Sequence, residues 1–321
     1  MLITQDLISF FLFSLLYLTI SIPLVVAYRV TKVINFTVAT YIAYGAYTGV
    51  MLDYYLRGSI GGNYLFATAV ASFIIVGAIG YLSNLLVFKP LSNKRVKPDV
   101  LMIASMGLWI VFKYILYVIS DIAGYFWKTN LVSYGQINYN DVASLASGFG
   151  LSSVQESYIV FPLVAGVSIT LFLLMLGKTR VGRAILAVAD NPTLASLSGV
   201  SVSRVENLTW FITSGLISLA GVMWTSYSGA ITPEIGDSLI LQAFTIAFIG
   251  GLTSIKRTAA GSFLISGVEN FGTDFLSTYL GVPASIKPML TFTVLIATLI
   301  VSPPLGAAGG IPYRFRRGRR I

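Results

Sequence analysis

Residues 177–200 read GKTRVGRAILAVADNPTLASLSGV and form a polar-punctuated segment between two long apolar runs. Arg180 and Arg183 lie three positions apart, so on a helix they project from neighbouring positions of one face. The same helix is predicted to carry an apolar stripe made of Val181, Ala184, Ile185 and Val188. The segment therefore starts with an amphipathic helix.

A second short helix is predicted directly after Asn191. Asn is a favoured N-cap and Pro is favoured at the first helical position, so Asn191-Pro192 begins a helix over residues 192–198. Gly199 then follows the helix, at the position where a left-handed conformation suits glycine. Two short helices joined by a bend are expected, and they serve either as a plain connector or as a docking surface for a partner protein.

The composition of the whole chain predicts a polytopic membrane protein. Of its 321 residues, 56% are hydrophobic and only 10% are charged, and the mean hydropathy is +0.83. This is more apolar sequence than one soluble core needs. A membrane span needs about 20 mostly apolar residues. By that measure the candidate spans are residues 7–27, 33–53, 64–88, 100–120, 158–176, 208–227, 239–255, 259–280 and 288–301. The predicted fold is all-α, a single transmembrane domain over residues 1–310 with about nine transmembrane helices, some of which can be broken.

Cysteine and histidine are both absent from the sequence. The chain therefore lacks a disulfide framework, thiolate or imidazole metal ligands, and the commonest nucleophile and general base. No metal and no cofactor is expected, and enzymatic activity is disfavoured. Residues 177–179 imitate the end of a phosphate-binding loop, but Phe172 stands where that motif needs glycine.

The basic residues predict an orientation in the membrane. Nine alternating crossings place the basic clusters on one side, which the positive-inside rule assigns to the cytoplasm. These clusters are Arg29 with Lys32, residues 89–97, residues 177–204, Lys256 with Arg257, and the tail over residues 311–321. An outside N-terminus, an external loop over residues 121–156 and a cytoplasmic C-terminus are expected. The net charge of +9 then reflects cytoplasmic loops and anionic membrane lipid rather than nucleic acid.

Polar or interrupted positions inside the apolar runs are candidates for a translocation path. Asn35 either interrupts a helix beside a cavity or caps a helix at the membrane surface. Glu269 lies inside an apolar run, where a carboxylate costs about 2.5–3.5 kcal/mol, so it contacts substrate or is buried as a packing group. The predicted path residues are Asn35, Phe36, Gly45, Phe244, Gly250, Gly251 and Glu269.

Residues 177–200 closely resemble the cytoplasmic loop of the branched-chain amino acid ABC permease family. That loop follows the pattern R-x-G-R-A, then N-P-x-x-A, then leucine and glycine. The matching positions are Arg180, Gly182, Arg183, Ala184, Asn191, Pro192, Ala195, Leu197 and Gly199. The resemblance extends over most of residues 34–306, through Ile34-Asn35-Phe36, Gly45-Ala46-Tyr47, Ile249-Gly250-Gly251 and Gly267-Val268-Glu269.

The resemblance implies one of two related permease subunits in the plasma membrane, working with two ABC ATPase subunits and an external solute-binding protein. The segment 177–204 would dock in a groove of the ATPase, through the pattern residues other than Leu197. Leucine, isoleucine and valine are the implied substrates, and ATP hydrolysis would reside in the partner chains.

One departure leaves the substrate open. After Asn-Phe the family usually has a small residue, His or Gln, and Gly, whereas this chain has Thr37, Val38 and Ala39. Urea, short amides and other small polar solutes are therefore alternative substrates. An ion-coupled carrier that uses Glu269, or an intramembrane enzyme that uses Glu269 with Asp274, are the alternatives from other functional classes.

Overall fold

The computed structural model describes residues 2–56, 64–94, 96–127, 137, 155–228 and 231–301, and their regular structure is helical. The α-helices are α1 Leu2–Thr31, α2 Val38–Leu56, α3 Tyr64–Ser83, α4 Lys89–Asn93, α5 Pro98–Trp127, α6 Ser157–Lys178, α7 Arg180–Asp190, α8 Pro192–Leu197, α9 Val202–Thr225, α10 Ile235–Ile249, α11 Ile255–Leu280 and α12 Lys287–Val301. A π-helical turn, Asn84–Phe88, joins α3 to α4, and a 3₁₀ turn, Ala284–Ile286, precedes α12.

Five helical segments of the described chain are long and apolar enough to cross a membrane. They are Asp6–Thr31, Leu65–Asn93, Pro98–Phe126, Ser157–Lys178 and Val202–Thr225. Helices α10 and α12 are apolar but have only 15 residues each, which is about 22 Å of helix against a hydrocarbon core of about 30 Å. Each predicted run contains a helix, but the predicted count of nine spans is not confirmed.

Two predicted boundaries differ from the structure. The second run was expected to be helical from residue 33, whereas α2 begins at Val38, because the Asn35 side chain accepts the Thr37 N–H and caps the helix that follows. The external loop was expected from residue 121, but α5 continues to Trp127, and Ala123 in this last part of the helix still packs against the core. Apart from residues 137, 155 and 156, the rest of that loop lies outside the described residues, as does the tail 311–321.

The core lies around α1, α2 and α9, whereas α5 stands at the edge. In their most apolar windows, 78% of the residues of α9 are buried but only 11% of those of α5. Close approach of α2 and α9 depends on glycine: a Cβ on Gly45 would lie 2.0 Å from the Ser218 carbonyl oxygen, and one on Gly221 would lie 2.0 Å from that of Ile42. Small residues at helix contacts of this kind are typical of membrane proteins.

Candidate functional site

Residues 177–200 form the two short helices and the bend that the sequence predicts. The Thr179 side chain caps α7 by accepting the Gly182 N–H at 3.0 Å. Asn191 caps α8, because its Oδ1 accepts the N–H groups of Thr193 and Leu194, each at 3.0 Å. Gly199 has a φ of +82°, the left-handed conformation expected after the helix end. We call α7, the bend and α8 together the paired-helix element.

The inner face of the paired-helix element differs from the predicted stripe at one position. Ile185 and Val188 are 1% exposed, as expected for the stripe, but Val181 is 41% exposed. The reason is that Gly182 presses against the end of α6, where a Cβ would lie 2.0 Å from the Met175 carbonyl oxygen. This contact turns the first residues of α7 outward, so the buried face consists of Gly182, Ile185, Val188 and Ala189.

The outer face of the paired-helix element carries arginines and large apolar side chains. Arg180 and Arg183 are exposed. Leu194 and Leu197 are 61% and 80% exposed. Of the other predicted docking residues, Asn191, Pro192 and Gly199 lie on this exposed surface, whereas Ala184 is partly buried and Ala195 is buried.

The end of α7 is tied to the end of α1. Asp190 Oδ1 lies 2.9 Å from Arg29 Nη2 across the two helices. Lys32 follows α1 with a φ of 57°, and burial together with the neighbouring charge of Arg29 lowers the pKa of its ammonium group. A non-helical segment, residues 32–35, begins at this junction. The paired-helix element is therefore in contact with the chain that leads into α2.

Phe36, which follows Asn35, meets Phe244 where that non-helical segment contacts α5 and α10. Phe36 N–H donates to Ser105 Oγ on α5 at 3.1 Å, and Ser105 Oγ lies 3.2 Å from the Ile34 carbonyl oxygen. The ring of Phe36 lies 4.9 Å from the ring of Phe244, between centroids. Asn35 itself is 5% exposed. Non-helical backbone between apolar helices thus finds its hydrogen-bond partners inside the protein.

Helix α10 begins against the first turn of α2. A Cβ on Gly236 would lie 1.7 Å from the Ala39 carbonyl oxygen, so only glycine fits at this contact. At its other end α10 stops at Ile249, and Gly250 and Gly251 form the predicted break, with Gly251 at a φ of +63°. That break is the turn into α11, where Gly250 packs against Thr258. The structure thus places Gly250 and Gly251 in a turn and Gly45 in the α2–α9 contact.

Glu269 lies in a separate cluster that joins four helices. Its carboxylate accepts hydrogen bonds from the Tyr17 hydroxyl on α1, the Thr291 hydroxyl on α12 and the Gln242 amide on α10, the last at 2.9 Å. The side chain is buried, with 3% exposure for the residue. This arrangement corresponds to the packing role that the sequence left open beside substrate contact. We call these four residues the Glu269 cluster.

The sequence reasoning missed an ion pair between α5 and α10. Lys113 Nζ lies 2.8 Å from Asp237 Oδ2, and Trp109 Nε1 donates to Asp237 Oδ1 at 2.8 Å. The Lys113 ammonium also lies 5.3 Å from the centre of the Trp109 ring. The available signal was a lysine in the middle of an apolar run, since Lys113 falls within the span Pro98–Phe126. We call this group the Lys113 cluster.

Comparisons of the sequence with known proteins identify one family. A family model described as "branched-chain amino acid transport system / permease component" matches residues 7–299. The probable branched-chain amino acid transport permease protein LivH of Methanocaldococcus jannaschii is 26% identical over 295 residues, covering 91% of this chain and 88% of the relative. The high-affinity branched-chain amino acid transport system permease protein LivH of Salmonella typhimurium is 28% identical over 300 residues, covering 89% of each. A solved structure titled PsaBC from Streptococcus pneumoniae in complex with Fab matches 91% of each chain with a TM-score of 0.46 and 16% identity, which is too low to establish a shared fold.

Proposed function

The chain belongs to the family of branched-chain amino acid transport system permease components, and we propose that it is the permease subunit of an ATP-driven importer of leucine, isoleucine and valine. It is a multi-pass membrane protein of a transport family rather than an enzyme, and ATP is hydrolysed by partner chains. The observation that carries the proposal is the family match over residues 7–299, joined to a paired-helix element with an exposed docking face.

The proposed assembly contains two permease subunits, two ABC ATPase subunits and an external solute-binding protein in the plasma membrane. The second permease is a paralogue or another copy of this chain. The N-terminus lies outside and the C-terminus in the cytoplasm. The distribution of Lys and Arg supports this orientation, because it places the basic clusters beside the paired-helix element on one side.

The paired-helix element docks in a groove of the ATPase. Its exposed arginines supply charge, while Leu194 and Leu197 supply apolar side chains of the kind that fill a partner's pocket. Gly182, Ala184, Ala195 and Gly199 act indirectly, because small residues let α7 pack on α6 and let the chain turn after α8. Asn191 and Pro192 hold the bend.

Motion of the ATPase reaches the translocation path through two connections in this mechanism. One is the direct chain connection from α6 to α9 through the paired-helix element. The other is the contact of Asp190 with Arg29, which leads into residues 32–37 and the ring contact of Phe36 with Phe244. Closure of the ATPase would shift both, and alternating access would follow from their rearrangement.

The unusual residues after Phe36 bear on the substrate. Thr37 is 0% exposed and Val38 and Ala39 are 1% exposed, and Ala39 contacts Gly236. The departure from the family pattern therefore lies in helix packing, which supports retaining branched-chain amino acids as the substrates. Urea and short amides remain the alternative, and competition of each with labelled leucine for uptake distinguishes the two.

An ion-coupled carrier is the rival mechanism. It needs Glu269 to bind an ion, but the carboxylate already accepts hydrogen bonds from three other helices. Reconstitution into liposomes separates the two mechanisms: an importer of the proposed kind needs ATP and its partner chains, whereas gradient-driven uptake by this chain alone would favour the rival.

Docking is tested by reversing one exposed charge. Arg183→Glu should lower co-purification of the ATPase by about tenfold or more, since a reversed charge at an interface costs about 2 kcal/mol or more. Leu197→Asp should act in the same direction. Lys256→Glu is the control, because it reverses an exposed charge on the same predicted side but outside the paired-helix element. Unchanged co-purification and unchanged substrate-stimulated ATP hydrolysis in Arg183→Glu would overturn the docking role.

A further inference from the structure

The Lys113 cluster places charge within a helix that is apolar enough to cross a membrane. Placing a charged side chain inside a membrane span costs free energy, and such side chains almost always face protein or a water-filled cavity. The ion pair is not sealed inside the core, because the Lys113 and Asp237 side chains are 18% and 27% exposed. Its open side must therefore meet water or a polar ligand rather than lipid.

The cluster occupies one stripe of α5. Trp109, Lys113 and Tyr117 are spaced by four residues and lie along the same side of the helix. Ile115, which is 43% exposed, lies on roughly the opposite side at about 100° per residue. Trp109, Lys113 and Tyr117 thus share one side of α5 and Ile115 lies on the other, as expected for a helix between a path and lipid.

The charges of the cluster are mixed. Lys113 supplies one cation, and Asp237 on α10 supplies the carboxylate that it contacts. Glu234 is exposed just before α10 and lies close enough to Lys113 and Tyr117 to interact electrostatically with both. One ammonium group and two carboxylates therefore lie between α5 and the start of α10.

We propose that Lys113, Asp237 and Glu234 bind the charged groups of a zwitterionic α-amino acid as it passes between α5 and α10. The ligand's carboxylate accepts from the Lys113 ammonium, and its ammonium group donates to Asp237 and Glu234. The aromatic rings of Trp109 and Tyr117 lie on the same stripe and offer apolar contact to an aliphatic side chain. This inference rests on the proposed function and assigns the substrate's charged groups to particular residues.

Exchanging the Lys113–Asp237 contact for contacts with a ligand requires little free energy. In the empty path Lys113 and Asp237 neutralise each other at 2.8 Å, so neither is left as an unpaired charge. A bound zwitterion replaces this one contact by contacts to both of its own charges. A molecule without the carboxylate or without the ammonium group would leave one member of the pair without a partner. The cluster therefore selects for an α-amino acid over an amine, an amide or a simple acid.

Cysteine accessibility tests the open side of the cluster independently of transport. The chain has no cysteine, so each introduced thiol is the only one in the chain. Tyr117→Cys should react with a charged, membrane-impermeant methanethiosulfonate in membranes that contain the assembled transporter. Ile115→Cys, the matched control on the lipid side of α5, should react at least about tenfold more slowly, because a thiolate does not form in lipid. Equal and slow reaction at both positions would overturn the inference.

Transport tests the ligand. In cells with the partner subunits, Lys113→Gln and Asp237→Asn should each lower uptake of labelled L-leucine by about tenfold or more, as expected for loss of a charged hydrogen bond. Assembly with the partner subunits should stay within about twofold of the wild type. Lys287→Gln is the control, because Lys287 also lies over an aromatic ring, that of Phe13, at 5.7 Å. Its uptake should match the wild type.

The outcomes separate this inference from the proposed function. A wild-type transporter that does not take up L-leucine overturns the proposed substrate and this assignment together. A wild type that takes up leucine, with both variants equally active, overturns only the role of the Lys113 cluster. If the two variants fail to assemble, Glu234→Gln takes their place, since its side chain is exposed. An unchanged KM for leucine in that variant then overturns the assignment.

Discussion

Two of the carboxylates in the described helices, Glu269 and Asp237, have opposite surroundings. Glu269 is 3% exposed and accepts hydrogen bonds from neutral donors on three other helices. Asp237 has a side chain that is 27% exposed and is bound by an ammonium group and an indole N–H, both from α5. Donors thus surround Glu269 from several directions, whereas Asp237 is held from one direction and keeps an open side.

This difference separates a carboxylate that holds the fold from one that is available to a ligand. A buried acceptor with neutral donors on all sides has no place for a further charge, and removing it leaves several donors without a partner. An open ion pair can exchange its contact for a ligand without breaking the core. The position of a carboxylate within an apolar run, which made Glu269 a candidate, does not distinguish these two roles. The arrangement of the hydrogen-bond donors around the carboxylate does.

The largest expected effect is on the Glu269 cluster. Glu269→Ala removes the acceptor for three buried donors and should lower the free energy of unfolding by roughly 3–5 kcal/mol. Size-exclusion chromatography of heated samples measures this change as the loss of monodisperse protein. Asp274→Ala, on the same helix but outside the cluster, should have a much smaller effect. A Glu269→Ala protein that is stable but does not transport would instead place Glu269 on the path.

A smaller loss is expected when one donor of that cluster is removed. Thr291→Val keeps the side-chain shape but loses one hydrogen bond to the carboxylate, which is worth about 1.5–3 kcal/mol. Thr293→Val on the same helix is the matched control, because its exposed hydroxyl bonds only the Met289 carbonyl oxygen at 2.9 Å. Equal thermal stability of the two variants would show that Thr291 contributes nothing beyond packing, and would weaken the view of Glu269 as a hub.

Local signals in the sequence account for the parts of the structure that were predicted. The paired-helix element follows from Asn191-Pro192 and Gly199, whose capping effects act over a few residues, and the structure has both caps. The helix at each apolar run is also predicted from a local signal, which is the hydropathy of its own residues. Val181 was placed wrongly, because its exposure depends on how Gly182 packs against α6 and not on the periodicity of α7.

Contacts between distant segments account for what the sequence did not predict. Asn35 signals the local cap before α2, but the segment it ends is also held by Ser105, 69 positions after Phe36, which the sequence does not indicate. The partners of Glu269 include Tyr17, 252 positions away, and Lys113 meets Asp237 124 positions along the chain. The spacing of apolar residues along the sequence does not indicate which distant residues pair. The sequence identifies Glu269 as a charge within an apolar run. Only the fold distinguishes this enclosed carboxylate from the Lys113–Asp237 pair, which keeps an open side.

The smallest expected effect on stability concerns that open pair. Lys113→Met combined with Asp237→Asn removes both charges and keeps an acceptor for the Trp109 indole, so no buried charge is left unpaired. Replacing an ion pair by neutral groups is often nearly neutral, and we expect a change within about 1 kcal/mol in either direction. The heating assay used for Glu269→Ala measures it on the same scale. A loss as large as that of Glu269→Ala would make the two clusters equivalent structural hubs. A stable protein that has lost leucine uptake is the expected result, because only a group that the fold does not need is available to exchange its partner for a substrate.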